Sequence, residues 1–185
     1  MCGIFGFTGH SSWKTSVLLQ ALCIADEVRG QHSTGIVVQT STSDFFMSKK
    51  ALRGKAFVAK GYCAFLFNRK YGNALGHNRF ATAGAVNDRN AHPFAVKVGA
   101  GKWNFGVHNG IVGEKAMIAR EYGVRNHEVD SAVALGAIGK LQFQGYGVID
   151  AIEEVTNFIS PKADFAFAYL NGTEKAVYLW RSPDR

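Results

Sequence analysis

The chain has 185 residues, a length that suits one domain, and its 47% hydrophobic and 19% charged residues exclude a disordered chain. The formal net charge of +7 does not by itself indicate nucleic-acid binding, because the densest basic stretch, Lys49, Lys50, Arg53 and Lys55, lacks the interleaved aromatic residues of a stacking platform. We interpret the charge as a solvated basic face; docking against an acidic partner protein stays open, and nucleic-acid binding is not expected.

Strands and helices in separate blocks predict an α+β protein. The N-terminal run CGIFGFTG predicts a buried strand, and apolar spacing predicts a helix over 13–28. A strand pair over 34–39 and 44–48 follows, joined by a polar turn. The remaining predictions are strands at 74–79, 104–108, 163–170 and 176–180 and helices at 113–121, 130–141 and 148–158. Without repeats or Pro/Ser-rich linkers, the chain is expected to form a single domain over 1–185.

The chain shows no sign of secretion or membrane insertion. No basic stretch precedes a long apolar run at the N-terminus, and no run of about 18 apolar residues occurs anywhere. The three cysteines, Cys2, Cys23 and Cys63, are an odd and sparse set without CxxC spacing, which argues against disulfides and zinc knuckles. We expect a cytoplasmic protein that does not contact a membrane.

Cys2 is a candidate nucleophile, because removal of Met1 would make it the first residue. Its free α-amino group, with a pKa of roughly 7.7 to 8.0, could then accept the thiol proton and later protonate a leaving amine. The alternative is that Cys2 is a small buried hydrophobic residue beside Gly3 and Ile4. The residue alone does not separate these interpretations.

The segment Val107-His108-Asn109-Gly110 is a second candidate, placed where a predicted strand runs into a turn. The side-chain amide of Asn109 and the backbone N–H of Gly110 can point at one spot and form an oxyanion hole. The simpler interpretation is a hairpin turn, since Asn-Gly readily adopts positive φ.

Arg79 and Asp130 carry charges that could hold a free amino acid. Arg79 follows a predicted strand and can grip a carboxylate through two N–H groups. Asp130, at the predicted start of a helix, could bind an ammonium group, although aspartate is also the usual N-cap residue. No catalytic metal is expected, because no HxxxH or HExxH pair occurs among His10, His32, His77, His92, His108 and His127.

In their order and spacing, these segments resemble the glutaminase domain of class II glutamine amidotransferases. This family includes glucosamine-6-phosphate synthase and amidophosphoribosyltransferase and belongs to the N-terminal nucleophile hydrolases. The similarity spans nearly the whole chain and is weak only around 48–73 and 141–162. The matching segments are Cys2-Gly3-Ile4-Phe5-Gly6, 29–36, 76–84, 90–94, His108-Asn109-Gly110-Ile111, Glu128-Val129-Asp130 and 163–168.

The resemblance implies a four-layer αββα sandwich and a role for each matched residue. Cys2 would attack glutamine and form a γ-glutamyl thioester, which water hydrolyses to glutamate after ammonia has left. The resemblance implies no metal or other cofactor. The remaining roles it implies are an oxyanion hole from Asn109 and Gly110, glutamine binding by Arg79, Thr82 and Asp130, and support of the N-terminal strand by Arg29 and Gly30.

The resemblance leaves open the branch of the family, the acceptor of the ammonia and two alternative functions. The chain has Ala83 where some branches carry histidine, so the resemblance does not assign a branch. We expect no synthase domain within 1–185 and therefore a separately encoded synthase as partner. The alternatives are an N-terminal nucleophile amidase acting on another amide, and a non-catalytic binding protein on the same fold. The paired charges of Arg79 and Asp130 argue against the first, and Cys2 together with Asn109 argues against the second.

Overall fold

Two four-stranded antiparallel sheets form the centre of the molecule in a computed structural model, which describes residues 1–182. The first sheet has the order β1-β4-β2-β3, and the second has the order β5-β6-β7-β8. The first comprises β1 (Gly3–Thr8), β2 (Ser33–Thr40), β3 (Phe45–Lys50) and β4 (Tyr71–Arg79). The second comprises β5 (Phe94–Gly99), β6 (Lys102–Gly110), β7 (Phe165–Asn171) and β8 (Ala176–Arg181).

Five helices cover the outer faces of the two sheets. Helices α1 (Trp13–Ala25) and α2 (Gly54–Ala59) pack on the first sheet, and the second is covered by α3 (Lys115–Glu121), α4 (Asp130–Phe143) and α5 (Val148–Asn157). The alternation along β2 shows the layering, since Ile36 and Val38 face the helices while Val37 faces the other sheet. The predicted four-layer αββα sandwich is therefore confirmed.

The sequence missed α2 and β5 and misplaced several boundaries; β4, for example, begins at Tyr71 rather than at residue 74. Helix α2 has only six residues and begins at a glycine, so it carries little helical periodicity. Strand β5 does alternate, with Phe94 and Val96 buried and Ala95 and Lys97 exposed, but the pattern is short. The predicted helix over 13–28 ends earlier, at Ala25, and a 3-10 turn over Asp26–Val28 continues the chain.

In the basic stretch that begins at the end of β3, Arg53 and Lys55 are exposed, but Lys49 is not part of a solvated face. The Lys49 ammonium donates hydrogen bonds to the backbone carbonyls of Arg89 (3.3 Å), Ala91 (2.7 Å) and Pro93 (3.2 Å). Burial lowers the pKa of Lys49 to about 8. This lysine is therefore a structural tie between β3 and the loop that leads into β5.

Strand pairing brings the N-terminus beside the end of β4. In the antiparallel register Gly3 lies opposite Asn78, so Cys2 lies next to Arg79 and Phe80. The last three residues of the predicted 1–185 domain lie outside the described residues. Among the helices of the described part, none is long and apolar enough to cross a membrane.

Candidate functional site

Cys2 lies at the start of β1, where it contacts the ends of two other strands. Its Sγ accepts a hydrogen bond from the backbone N–H of Phe80 at 3.3 Å, just beyond β4. Its own backbone N–H donates to Oδ1 of Asn109 at 2.9 Å, close to the end of β6. Its carbonyl oxygen accepts from Nε of Arg29 at 3.1 Å. The thiol is thus fixed where the two sheets meet.

The segment 26–30 packs so tightly behind Cys2 that two positions require glycine. A Cβ on Gly3 would lie 1.7 Å from a carboxylate oxygen of Asp26. A Cβ on Gly30 would lie 2.2 Å from the backbone oxygen of Asn78. Together with the Arg29 bond, these close approaches hold the N-terminal strand against β4.

Asn109 and Gly110 end β6 and lie next to Cys2. Because a backbone N–H can only donate, the Asn109 side chain turns its oxygen toward Cys2 and its NH₂ group away from it. Gly110 has φ +147°, and a Cβ there would lie 2.3 Å from the carbonyl oxygen of Asp164. Only glycine fits this turn.

Arg79 is buried at the end of β4, inside the loop that follows it. Its guanidinium donates to the backbone carbonyls of Ala83 and Ala85, the latter at 3.2 Å. Glu128 secures the same loop by accepting the N–H of Ala85 at 3.1 Å. Thr82, the other loop residue named by the sequence, is exposed between these contacts.

Asp130 is the first residue of α4, and Val129 occupies the N-cap position without a side-chain cap bond. The interpretation of Asp130 as an N-cap is therefore wrong. Its two carboxylate oxygens accept backbone N–H groups from Val112 at 2.6 Å and Ser131 at 2.8 Å. Asp130 thereby ties the segment after Gly110 to the start of α4, with its negative charge at the positive end of the helix.

The pKa of the Cys2 thiol is raised above its ordinary value. Burial is the main cause that raises the pKa of Cys2. The Phe80 hydrogen bond, the N-terminal ammonium and the charge of Arg79 each lower it, and the charge of Asp130 raises it. Burial lowers the pKa of Arg79, and the charges of Cys2 and Asp130 act in the opposite direction. The net rise means that the thiol is protonated at neutral pH, so it requires a base to become a nucleophile.

Buried histidines linked by hydrogen bonds lie beneath the site. The sequence did not predict them, because its histidines were interpreted only as possible metal ligands. Nε2 of His77 lies 2.9 Å from the carbonyl oxygen of His108, and since a carbonyl only accepts, this nitrogen carries the proton. Nδ1 of His108 lies 2.8 Å from Oγ of Ser131. These bonds join β4, β6 and α4. The only signal in the sequence was the position of His77 and His108 next to other candidate residues.

No group of His, Cys, Asp or Glu side chains in the described part of the chain could hold a metal ion. The most voluminous of the described cavities, about 590 Å³, lies at the other end of β1, where it is lined by Thr8, Tyr71 and Lys175.

Individual relatives, rather than a family model, show what this chain is similar to. No family model matches the chain. Glutamine--fructose-6-phosphate aminotransferase [isomerizing] of Streptococcus pneumoniae is 29% identical over 185 residues, which is 96% of this chain but only 28% of that protein.

Solved structures show the same fold. The glutamine phosphoribosylpyrophosphate amidotransferase from B. subtilis matches with a TM-score of 0.71 and 18% identity, over 91% of this chain and 35% of that one. A glutamine aminotransferase class-II domain protein from Silicibacter pomeroyi matches with a TM-score of 0.51 and 19% identity, over 83% of this chain and 70% of that one. Sequence and fold together identify this chain as a class II glutamine amidotransferase domain.

Proposed function

We propose that this chain hydrolyses the side-chain amide of glutamine, with Cys2 as an N-terminal nucleophile once Met1 has been removed. The main support is the 2.9 Å hydrogen bond between the Cys2 nitrogen and Oδ1 of Asn109. One side chain thereby orients the future α-amino group and turns its own NH₂ group toward the substrate. A cysteine kept only for packing would not need this partner.

In the first half of the reaction the α-amino group takes the proton of the Cys2 thiol. The sulfur attacks the amide carbon, and the carbonyl oxygen becomes an oxyanion that accepts N–H groups from Asn109 and Gly110. The C–N bond then breaks, and the ammonium returns the proton to the leaving nitrogen as ammonia departs. The raised pKa of Cys2 supports this order, because a protonated thiol needs a base at that position.

In the second half water attacks the γ-glutamyl thioester. The α-amino group accepts a proton from the water, the same oxyanion hole stabilises the second tetrahedral intermediate, and the C–S bond breaks. The products are glutamate and the restored thiol. The site therefore needs only groups that lie around Cys2.

The charges around the thiol fit the two ends of a free amino acid. We assign the α-carboxylate of glutamine to Arg79 and its α-ammonium to Asp130, with Thr82 lining the pocket from the loop after β4. Arg29 and Gly30 act as supports of the N-terminal strand. The proximity of both charges to the thiol supports this assignment, since Arg79 lowers and Asp130 raises the pKa of Cys2.

The ammonia requires an acceptor. This chain spans less than a third of the length of the aminotransferase relative described above. We propose that a synthase consumes the ammonia and that it is encoded separately. Affinity purification from the native host should recover an ammonia-consuming enzyme; recovery of the chain without one contradicts this part of the proposal.

The deciding experiment measures glutamate release from glutamine by protein whose intact mass shows that Met1 is absent. The comparison set is Cys2→Ala, the matched thiol variant Cys63→Ala, and protein that retains Met1. Cys63 is buried beside Gln20, so its loss removes a thiol without touching the site. A γ-electrophilic glutamine analogue, followed by mass spectrometry, reports which residue is modified.

We expect glutamate release and labelling from processed protein and from Cys63→Ala, and neither from Cys2→Ala. Protein with Met1 retained should be inactive, because its amine lies in a peptide bond. Turnover by folded Cys2→Ala would refute the assignment of the nucleophile. Full turnover with Met1 retained would leave Cys2 in place and refute the α-amino group as the base.

A further inference from the structure

The outer face of α1 is apolar although it is exposed. The side chains that point outward from α1 and the turn after it are Trp13, Val17, Ala21, Ile24 and Val28, which we call the α1 stripe. Trp13 is 70% exposed and Val28 is 80% exposed. At about 100° per residue Trp13, Val17, Ala21 and Ile24 fall within one narrow arc of α1, and Val28 follows in the 3-10 turn.

The α1 stripe is not needed to hold the helix in the fold. The opposite face of α1 packs into the core through Leu19 and Cys23 and is fixed by the hydrogen bond from Oγ of Ser16 to the Leu66 carbonyl at 2.7 Å. A surface helix normally carries polar residues on its outer face. The five positions of the α1 stripe carry no charge, and Lys14 and Glu27 lie beside it, one near each end.

The area of the stripe suits an interface between two copies. With Leu18 at its flank, the stripe exposes on the order of 600 Å² of side chain, at the upper end of the largest apolar patch on an ordinary monomer. Two copies would together bury about 1,200 Å², which reaches the lower end of the range for stable interfaces.

The stripe is also complementary to itself when read in the opposite direction. In an antiparallel pair with its two-fold axis between Gln20 and Ala21, Val17 lies opposite Ile24 of the other copy. In the same register Trp13 lies opposite Val28, and Lys14 lies opposite Glu27. The small side chain of Ala21 at the axis lets the two helices approach closely.

We propose that α1 is a homodimer interface, formed by two α1 stripes packed antiparallel about a two-fold axis. Such an interface is isologous: each contact occurs twice, because Val17 of one copy meets Ile24 of the other and the reverse. The register gives the proposal its specific test.

The test is sedimentation velocity of the full chain between about 1 and 100 µM, with the variants Val17→Glu, Ile24→Lys and the double variant. Each single substitution places a charge opposite an apolar side chain twice and should weaken dimerisation by at least ~100-fold. The double variant pairs the introduced carboxylate with the introduced ammonium at both contacts, so dimerisation should return to within about 10-fold of the original. Met117→Lys, on an exposed apolar residue of α3, is the matched control and should leave the dimer unchanged.

Far-UV circular dichroism checks that every variant is folded, as expected for substitutions of exposed side chains. An original chain that stays monomeric throughout the concentration range would overturn the proposal, since the face would then serve another partner. A dimer that survives both single variants would place the interface elsewhere. Single variants that dissociate without rescue in the double variant would overturn the antiparallel register.

Discussion

The buried histidines beneath the site should make the protein sensitive to mild acid. His77, His92 and His108 are each at most 2% exposed. Burial is the main cause that lowers the pKa of His77 to about 3 and of His108 to about 4, and it holds the pKa of His92 well below its usual value. The charge of Arg79 lowers the pKa of His77 and His92 further.

The sign and size of the effect follow from proton uptake. Between about pH 4 and the unfolded value of about 6.5, the unfolded chain holds protons on these histidines that the folded chain does not. Stability is therefore full above pH 6.5 and is lost as the pH falls. Each histidine contributes about 2 kcal/mol of loss between pH 7 and 5, or about 6 kcal/mol for three, which is comparable with the whole stability of many domains.

Asp26 acts in the opposite direction, because burial raises its pKa and the folded chain takes up the proton first. We therefore expect a net uptake of between two and three protons on unfolding near pH 5. Urea titrations at pH 7, 6, 5.5 and 5 give the free energy of unfolding, and its slope against pH gives the number of protons.

His92→Phe isolates one member of the cluster. Neither ring nitrogen of His92 has a hydrogen-bond partner within residues 1–182, and its ring packs 4.1 Å from His77 and 4.6 Å from Phe94, centre to centre. Phenylalanine keeps an aromatic ring in the stack without titrating, so the uptake should fall by about one proton. The control is His10→Asn on the exposed loop before α1, which should leave the slope unchanged. A slope below one proton in the original protein would refute the reasoning.

Three further outcomes follow from the contacts of the site. Asn109→Ala should lower kcat for glutamate release by about 100- to 1000-fold. Asn109→Asp should lower it as well, because aspartate keeps the bond to the Cys2 nitrogen but lacks the oxyanion donor. A rate for Asn109→Asp within 10-fold of the original would contradict the oxyanion role. Gly30→Ala forces a methyl group against the Asn78 carbonyl and should cost about 2 kcal/mol or more in urea unfolding, whereas an unchanged midpoint would mean that the segment moves freely. Ser131→Ala leaves Nδ1 of His108 without its partner and should cost about 1 to 3 kcal/mol by the same measurement, with Ser131→Thr as the variant that restores a hydroxyl; equal losses in both would assign the effect to packing.

The layers could be predicted because periodicity reports which faces of an element are buried. Strands β1, β2 and β4 and helices α4 and α5 lie close to their predicted positions. The predicted candidates Cys2 and Asn109 are in contact, although 107 positions separate them in sequence. Cys2, Asn109 and Asp130 each lie at the end of a strand or the start of a helix, where a rigid element holds the side chain.

The contacts of charged side chains could not be predicted, because they depend on which backbone comes near after folding. The ammonium of Lys49 donates hydrogen bonds to three carbonyls of a loop about 40 residues away, which take the place of water. The guanidinium of Arg79 is held by carbonyls of its own loop. Composition counts such side chains as surface charge, and only the fold shows which backbone carbonyls they bind.

The alignment of the two sheets depends on a polar tie that hydrophobic patterns do not encode. The sheets pack through apolar side chains such as Leu75 and Val107, and apolar contact sets no unique register between β4 and β6. The hydrogen bond from His77 to the His108 carbonyl fixes one register, because a shift would leave a buried donor unpaired. That register places Asn109 beside Cys2. The position of the thiol therefore depends on His77, although His77 does not contact the sulfur.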